Sequence, residues 1–420
     1  MNKSLLTIVC VTYNHVTYIR DALDGFVNQI TNFNYNVIVY DDASTDGTSD
    51  IILEYKDKYP DIFDIYIATE NTYKKPIREK VLSELFDKYL EGKYMAFCEG
   101  DDYWTDINKL QMQVDFLENN PDCVMVGHSA MIENCMTGEK REYRVYDESR
   151  YITPDEIIVQ YNGNIPTASL VMRRDVYFYD AQFPKCDVGD WPRQLNALGK
   201  GKIYYINKIM STYRYMAQGS WTCNMWLQLP KRIKHNLKMV DFIVRYNEYS
   251  EHKYENSLRR KICIYLYSCL FDSGDMSKKQ FMRIYKDSLK NLDISNLVDI
   301  DELYRVYQYI KGDYIFNEQQ KNDLLRYEYI LIMGHGCYSH YIKNVLANNQ
   351  IDYNGFVVTK ISEKEKISDE IIYSLSDWPY DRQKTLVIIG ISQINDEEII
   401  RSLKNEHFEN IYAPMWFGFR

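Results

Sequence analysis

The chain has 420 residues, a formal net charge of −10 and a sequence pI near 5.4. This length exceeds one ordinary hydrophobic core, so we expect two or three domains. The hydrophobic fraction of 45% and the charged fraction of 26% are typical of a globular protein. The excess of acidic residues argues against nucleic-acid binding. The sequence has no run of about 18 apolar residues, so it predicts no transmembrane helix.

The cysteine pattern indicates the redox compartment. Nine cysteines are scattered along the chain, without CxxC pairs and without histidines at zinc spacing. An odd number with no such framework predicts reduced thiols. The apolar run near Met1 is too short for a signal peptide. We therefore expect a cytoplasmic protein, with the inner face of the membrane as the alternative location.

The N-terminal half alternates between strand and helix patterns. Continuous apolar runs at 5–11 and 35–40 are typical of buried parallel strands. Amphipathic patterns at 18–29 and 49–59 follow them and predict helices. This alternation predicts an α/β fold with a doubly wound, mostly parallel sheet. Further strands are predicted at 62–68, 94–97 and 123–131, and further helices at 79–90 and 104–120.

Two acidic clusters follow predicted strands. Asp41 and Asp42 come after the second strand, and Glu99, Asp101 and Asp102 come after the fourth. Carboxyl ends of parallel strands meet at the sheet edge where ligands bind. Crowded carboxylates repel each other unless a cation neutralises them, and Mg²⁺ accepts carboxylates together with substrate phosphates. The first cluster therefore predicts an acid that binds a base or ribose, and the second predicts a Mg²⁺ or Mn²⁺ site that holds a diphosphate. The alternative is that both clusters are solvated acidic turns.

Three motifs in this order resemble those of family 2 glycosyltransferases with the GT-A fold. They are Val-Thr-Tyr-Asn at 11–14, Asp-Asp-Ala-Ser-Thr-Asp-Gly-Thr at 41–48, and Glu-Gly-Asp-Asp at 99–102. The resemblance covers residues 4–221. It implies a metal-dependent, inverting transfer of a sugar from a nucleotide-diphosphate sugar, foremost a UDP-sugar, to a hydroxyl. The implied acceptor is a glycan or a lipid-linked sugar in surface polysaccharide synthesis, and the implied cofactor is Mn²⁺ or Mg²⁺.

The same resemblance implies roles for individual residues. Asp102 and Asp101 correspond to the metal-binding motif. The implied donor nucleotide-binding residues are Val11, Tyr13, Asp41, Asp42, Arg78 and Asp101. Further donor or acceptor contacts are implied for Glu99, Trp104, Arg214 and Trp221. The segment 211–221 resembles a lid that closes over the donor.

Asp190 is the candidate catalytic base. It precedes Pro192 at the start of a predicted helix, so helix capping is the alternative role. The resemblance implies a catalytic carboxylate in this segment, often as Glu-Asp, and here Gly189 takes the place of the glutamate. A sugar hydroxyl is a poor nucleophile, and a carboxylate that accepts its proton contributes about 10² to 10⁴ in rate. Asp187 is the second candidate.

The rest of the chain predicts two further parts. We divide the chain into a catalytic domain at 1–222, a helical segment at 223–327 and a Rossmann-like α/β domain at 328–420. The basic helix that begins near 229 suits either packing on the catalytic domain or peripheral contact with an anionic membrane. A Gly-x-Gly turn at 334–336 suits either nucleotide binding or a docking module, including a contact between copies of the chain.

Two other functions fit the acidic clusters. A sugar nucleotidyltransferase also uses a parallel sheet and Mg²⁺, but it needs a glycine-rich turn after its first strand to hold phosphates. Residues 12–15 contain no glycine, which counts against that class. A non-catalytic protein that binds sugar nucleotides is the other alternative, and the presence of Asp190 beside both acidic clusters counts against it.

Overall fold

The computed structural model describes residues 3–412 with gaps. The gaps are 74, 76, 161–162, 187, 273–313 apart from 279 and 283, 335–336, 360, 362–368 and 390–395. Asp187, much of the predicted helical segment and most of the Gly-x-Gly turn therefore lie outside the described residues. The chain divides into two compact units, Met1–Tyr254 and Glu255–Arg420. The helical segment is thus shared between the units, and the three-part division stays a prediction.

The first unit is built on one mixed sheet of ten strands. In chain order these are β1 (Leu6–Thr12), β2 (Tyr35–Asp41), β3 (Phe63–Ile67), β4 (Tyr94–Phe97), β5 (Tyr103–Trp104), β6 (Cys123–Asn134), β7 (Lys140–Tyr143), β8 (Arg150–Ile152), β9 (Val171–Arg173) and β10 (Lys202–Tyr215). The spatial order is β3-β2-β1-β4-β9-β6-β10-β5, with β7 on β6 and β8 on β10. The predicted doubly wound α/β fold is confirmed.

Nine helices of the first unit are described, and those nearest the predicted site flank the sheet. They are α1 (Ile19–Val27), α2 (Thr48–Lys58), α3 (Ile77–Tyr89), α4 (Lys109–Asn119), α5 (Pro154–Val159), α6 (Arg174–Tyr177), α7 (Asp190–Lys200), α8 (Trp221–Leu227) and α9 (Leu229–Tyr249). Apolar side chains of α1, α2 and α4 join those of β1 and β2 in one hydrophobic core. This coverage explains why the first two strands read as unbroken apolar runs.

Strand β1 sets the geometry of the predicted site. It pairs in parallel with β2 on one side and with β4 on the other. Its last residue, Thr12, lies opposite Asp41, the last residue of β2. The carboxyl ends of the three strands therefore meet at one edge of the sheet.

The structure corrects two predicted elements. Residues 211–215 do not belong to a lid, because they continue β10, where Ser211 and Thr212 pair with Trp104 and Tyr103 of β5. The helix predicted from 104 begins only at Lys109. Tyr103 and Trp104 form a strand instead, since they complete the edge of the sheet.

Helix α9 packs inside the first unit. Its residues Met239, Val240, Phe242, Ile243 and Tyr246 are buried. The Tyr246 hydroxyl donates a 3.1 Å hydrogen bond to a backbone carbonyl of α7. Packing thus accounts for the apolar face of the predicted basic helix. Among the described residues, no helix is both long enough and apolar enough to cross a membrane.

The second unit contains a separate sheet of five parallel strands. Its strands are β11 (Tyr329–Met333), β12 (Gly355–Val358), β13 (Ile372–Ser374), β14 (Thr385–Ile389) and β15 (Asn410–Tyr412), in the order β13-β12-β11-β14-β15. Its helices include α10 (Glu255–Asp272), α11 (Glu318–Leu325), α12 (Cys337–Asn348) and α13 (Asp396–Asn405). The sequence pattern missed β13, and the Rossmann-like character of this unit stays a prediction.

Candidate active site

Both acidic clusters lie beside the end of β1. The backbone N–H of Asp42 donates to the Thr12 carbonyl at 3.0 Å, and that of Gly100 donates to the Val11 carbonyl at 3.1 Å. A Cβ atom on Gly100 would lie 2.4 Å from Thr12 Oγ1 and 2.9 Å from His15 Nδ1. Only glycine fits so close an approach. The two clusters therefore share one edge of the sheet, on opposite sides of β1.

Asp41 is fully engaged with its own loop. Its carboxylate is buried and accepts hydrogen bonds from the Ser44 backbone at 3.1 Å, the Ser44 hydroxyl at 2.5 Å and the Ser49 hydroxyl. The Ser44 hydroxyl in turn accepts the backbone N–H of Asn14 at 2.8 Å. Asp41 therefore fixes the loop around the end of β1, rather than presenting a free carboxylate.

Asp42 points into a second set of contacts. Its Oδ1 accepts the backbone N–H and the hydroxyl of Thr72, at 2.6 and 2.7 Å, and the Tyr40 hydroxyl at 3.2 Å. Its Oδ2 forms a 3.2 Å ion pair with Arg78. The Arg78 guanidinium lies 5.7 Å from the Tyr40 ring centre and 5.5 Å from that of Tyr73. The structure thus brings together the predicted base-recognition acid and the predicted diphosphate-side arginine.

The other two predicted nucleotide contacts line the same edge. Val11 is half-buried and packs against the cluster of Tyr40, Ala68 and Leu85. Tyr13 follows β1 directly and is 43% exposed. An exposed aromatic ring beside the end of a parallel strand is available for stacking on a ligand.

Arg214 holds the Asp101–Asp102 segment in place. Its backbone N–H donates to Asp102 Oδ1 at 2.9 Å, and its guanidinium donates to the Asp101 carbonyl at 3.0 Å and to the Asp21 carboxylate. The guanidinium also lies 4.4 Å from the ring centre of Tyr103. Arg214 is buried by these contacts. It supports the acidic segment, and a direct contact with diphosphate stays a prediction.

The carboxylates of Asp101 and Asp102 fit a divalent cation that is completed by other ligands. Within the described chain, Asp102 Oδ2 and both Asp101 carboxylate oxygens make no hydrogen bond to protein. Burial, and then the charge of Asp101, raise the pKa of Asp102 well above its ordinary value. A cation would relieve that repulsion. No group of three or more His, Cys, Asp or Glu with metal-binding geometry occurs in the described part, so substrate phosphates and water would have to complete its ligand set.

Asp190 is the first residue of α7 but does not cap that helix. Gly189 is the residue before the helix, and no side chain makes a capping hydrogen bond there. Among the described contacts, the half-buried Asp190 carboxylate has no hydrogen-bond or ion-pair partner. The capping alternative therefore finds no support in the structure, and the carboxylate is available for chemistry.

Glu99 lies on the same side of the site as Asp190. Its side chain is accessible to solvent, although many protein atoms lie near the carboxyl group. Burial, followed by the charges of Asp101 and Asp190, raises the pKa of Glu99 to about 7, while Arg193 and Arg78 oppose the shift. The charges of the acidic segment, α7 and Arg78 therefore act on this one carboxyl group.

The two predicted tryptophan contacts differ in position. Trp104 lies in the hydrophobic core, where its indole N–H donates to the Ala168 carbonyl at 2.8 Å and its ring packs edge-on against Phe26. A substrate contact through Trp104 therefore finds no support. Trp221 is 42% exposed at the start of α8, and its ring lies 5.1 Å from that of His235. Trp221 stays a candidate for contact with substrate.

Sequence reasoning missed residues that complete the site. Thr72 and Asp21 anchor Asp42 and Arg214, but their positions follow from loops and from contacts far apart in sequence. Arg193 could have been found, because it lies three residues after Asp190 and so shares its face of the helix. Its proximity to Glu99 could not have been read from the chain.

Comparison with known proteins relates the part of the chain that carries this site to one family. Residues 7–178 match the family model described as glycosyl transferase family 2. This range contains β1, β2, β4 and both acidic clusters. The match favours a glycosyltransferase over the two alternatives, a sugar nucleotidyltransferase and a non-catalytic protein that binds sugar nucleotides.

Three relatives illustrate the range of similarity. An uncharacterized protein of Mycobacterium tuberculosis is 34% identical over 216 residues, which are 51% of this chain and 60% of that protein. The putative teichuronic acid biosynthesis glycosyltransferase TuaG of Bacillus subtilis is 26% identical, over 53% of this chain and 84% of TuaG. The UDP-Glc:alpha-D-GlcNAc-diphosphoundecaprenol beta-1,3-glucosyltransferase WfaP of Escherichia coli is 27% identical, over 54% of this chain and 82% of WfaP. All three matches cover only about half of this chain.

Proposed function

Because residues 7–178 match the family model of glycosyl transferase family 2, we propose that this chain transfers a sugar from a nucleotide-diphosphate sugar to an acceptor hydroxyl with inversion. The single observation that carries the proposal is the shared edge at the end of β1. Asp42 and Gly100 are hydrogen-bonded to successive residues of that strand, Thr12 and Val11. A nucleoside held at the first cluster would therefore extend its diphosphate toward the second.

The donor nucleotide binds along the ends of β1 and β2. Asp42 recognises the base, Val11 and Tyr13 line the pocket, and Arg78 adds positive charge toward the diphosphate. The name of WfaP describes a glucosyltransferase that uses UDP-Glc, so a UDP-sugar is the first donor to test. Asp41 acts indirectly, because both of its oxygens hold the loop.

Asp102 and Asp101 would hold Mn²⁺ or Mg²⁺ against the diphosphate. When bound, such an ion supplies positive charge that offsets the charge growing on the leaving nucleotide. The chain itself orients Asp102 through Arg214, so that one carboxylate oxygen is held and the other is left for a ligand. A pair of carboxylates plus phosphates is the usual way in which Mg²⁺ is bound.

Asp190 serves as the general base. Its carboxylate accepts the proton of the acceptor hydroxyl as the oxygen attacks the anomeric carbon. Attack from the face opposite the departing diphosphate gives inversion. Among the described residues Asp190 has no hydrogen-bond or ion-pair partner, which supports this role, since a carboxylate already used by the fold would have to break a bond first.

The acceptor is a glycan or a lipid-linked sugar of a surface polysaccharide pathway. The names of TuaG and WfaP support this class of acceptor, because they refer to teichuronic acid biosynthesis and to a diphosphoundecaprenol-linked sugar. A lipid-linked acceptor would bring the protein to the cytoplasmic face of a membrane. The parallel sheet of the second unit would serve nucleotide binding or docking, including docking to another copy of the chain.

A donor screen tests the proposal. UDP-, GDP- and dTDP-sugars are incubated with the full chain and Mn²⁺, and release of the nucleotide diphosphate is measured with and without EDTA. Asp190→Asn should lower turnover by about 10² to 10⁴ while UDP affinity is kept. Asp175→Asn, an exposed change, is the matched control. Release from no donor, or full turnover in Asp190→Asn, would contradict the proposal.

A further inference from the structure

Arg193 occupies the space that a side chain at position 189 would fill. A Cβ atom on Gly189 would lie 2.9 Å from one terminal nitrogen of the Arg193 guanidinium and 3.1 Å from its central carbon. The same guanidinium lies 4.7 Å from the ring centre of Tyr177 and 5.3 Å from that of Phe97. Glycine at 189 and the two rings therefore hold a flat cation at the start of α7.

The Arg193 cation lies between the start of α7, which carries Asp190, and the ring of Phe97, two residues before Glu99. Its charge acts on Glu99, and Tyr177, Tyr179 and then Asp190 act on Arg193. Neither carboxylate is within ion-pair distance of the guanidinium among the described contacts, and Arg193 Nε is buried without a hydrogen-bond partner. A guanidinium enclosed by protein is costly unless an anion pairs with it.

The planar fork of an arginine matches a carboxylate or a phosphate, which it can bind through two parallel hydrogen bonds. No carboxylate of the described residues pairs with Arg193, which leaves its charge for an anionic group of a ligand. A neutral hydroxyl would satisfy the hydrogen bonds but would leave the charge unpaired.

We propose that Arg193 is a specificity-determining residue that binds an anionic oxygen group, a carboxylate or a phosphate, carried by the sugar substrate near Asp190. This inference rests on the proposed function, because it places the anion at the site of sugar transfer. The group can belong to the donor sugar, as in a uronic acid, or to the acceptor. The chemistry recognised is the same in both cases.

Binding of matched neutral and anionic probes to the full chain separates the two sources. The donor arm compares UDP-glucose with UDP-glucuronic acid in the presence of Mn²⁺. The acceptor arm compares glucose with glucuronate and glucose 6-phosphate, with and without UDP and Mn²⁺. We expect wild type to bind an anionic probe at least about tenfold more tightly than its neutral counterpart in one arm.

Variants assign that preference to one side chain. Arg193→Gln should abolish the preference and Arg193→Lys should keep part of it. Arg174→Gln, which removes an exposed arginine, should leave it unchanged. Equal affinity for neutral and anionic probes in both arms of wild type would overturn the proposal, and so would a preference that survives in Arg193→Gln. Failure of UDP to bind would contradict the proposed donor instead, and the acceptor arm without UDP would still decide the role of Arg193.

Discussion

The backbone N–H of Arg214 donates a 2.9 Å hydrogen bond to Asp102 Oδ1, although the two residues lie 112 positions apart in the chain. The bond exists because β10 pairs with β5, which directly follows Asp102. The end of β10 therefore sets the orientation of Asp102, the proposed metal ligand. The family resemblance assigned this part of β10, residues 211–215, to a lid. A backbone donor also keeps this bond when the Arg214 side chain is replaced.

Arg214→Gln should loosen the acidic segment without removing that bond. The variant loses the guanidinium contacts with the Asp101 carbonyl and Asp21. Loss of a group that orients metal ligands typically weakens metal binding by about 10 to 100-fold. Calorimetric titration with Mn²⁺ in the presence of UDP measures this, with Arg20→Gln, which breaks an exposed ion pair, as the control. Unchanged Mn²⁺ affinity in Arg214→Gln would show that Arg214 has no such role.

Asp42→Asn should weaken nucleotide binding and the fold together. The asparagine loses the ion pair with Arg78 and turns one acceptor into a donor within a buried network. An unsatisfied buried group costs about 1 to 3 kcal/mol, so we expect a lower melting temperature and at least tenfold weaker UDP binding. Glu54→Gln, which breaks an exposed ion pair with little effect on stability, is the control. Native UDP affinity in a folded Asp42→Asn protein would count against base recognition by Asp42.

The buried side chain of Lys109 should make folding stability depend on pH. Its buried Nζ lies 4.1 Å from the Trp104 ring centre without a hydrogen-bond partner, and burial lowers the pKa of Lys109 from 10.5 to about 7. Between these values the unfolded chain holds a proton that the folded chain releases. Folding stability therefore rises with pH across this range. The cost of the buried lysine is complete below pH 7 and disappears near pH 10.5.

Lys109→Met should accordingly stabilise the protein most at pH 7 or below. The expected gain is on the order of a few kcal/mol, reduced by the lost attraction between the ammonium and the Trp104 ring. Urea unfolding of variant and wild type at pH 7, 8.5 and 10 measures the gain, which should shrink as pH rises. Lys80→Met, on an exposed side chain, is the control. A destabilised variant, or a gain that does not change with pH, would refute this account.

The alternation of strands and helices and the shared edge were predictable from the sequence, because unbroken apolar runs followed by acidic turns indicate parallel strands whose carboxyl ends meet. The roles of Asp41 and Asp42 were not separable, since both side chains are buried at the end of one strand and only the loops show which partners each one contacts. Trp104 was misassigned because an aromatic residue beside an acidic motif has the same signature whether it faces substrate or core. The position of Arg193 beside Asp190 could be predicted from helix spacing, but its importance could not, because that depends on the missing side chain of Gly189.

Binding of UDP with and without Mn²⁺, in wild type and in Asp102→Asn, tests most directly whether the two acidic clusters act on one ligand. Asp102→Asn removes a charge from the second cluster and leaves Asp42 and Arg78 untouched. We predict that Mn²⁺ tightens UDP binding by at least about tenfold in wild type and has no effect in Asp102→Asn, which should keep the UDP affinity measured without metal. Equal UDP affinity with and without Mn²⁺ in wild type, or a full Mn²⁺ effect in Asp102→Asn, would contradict the account.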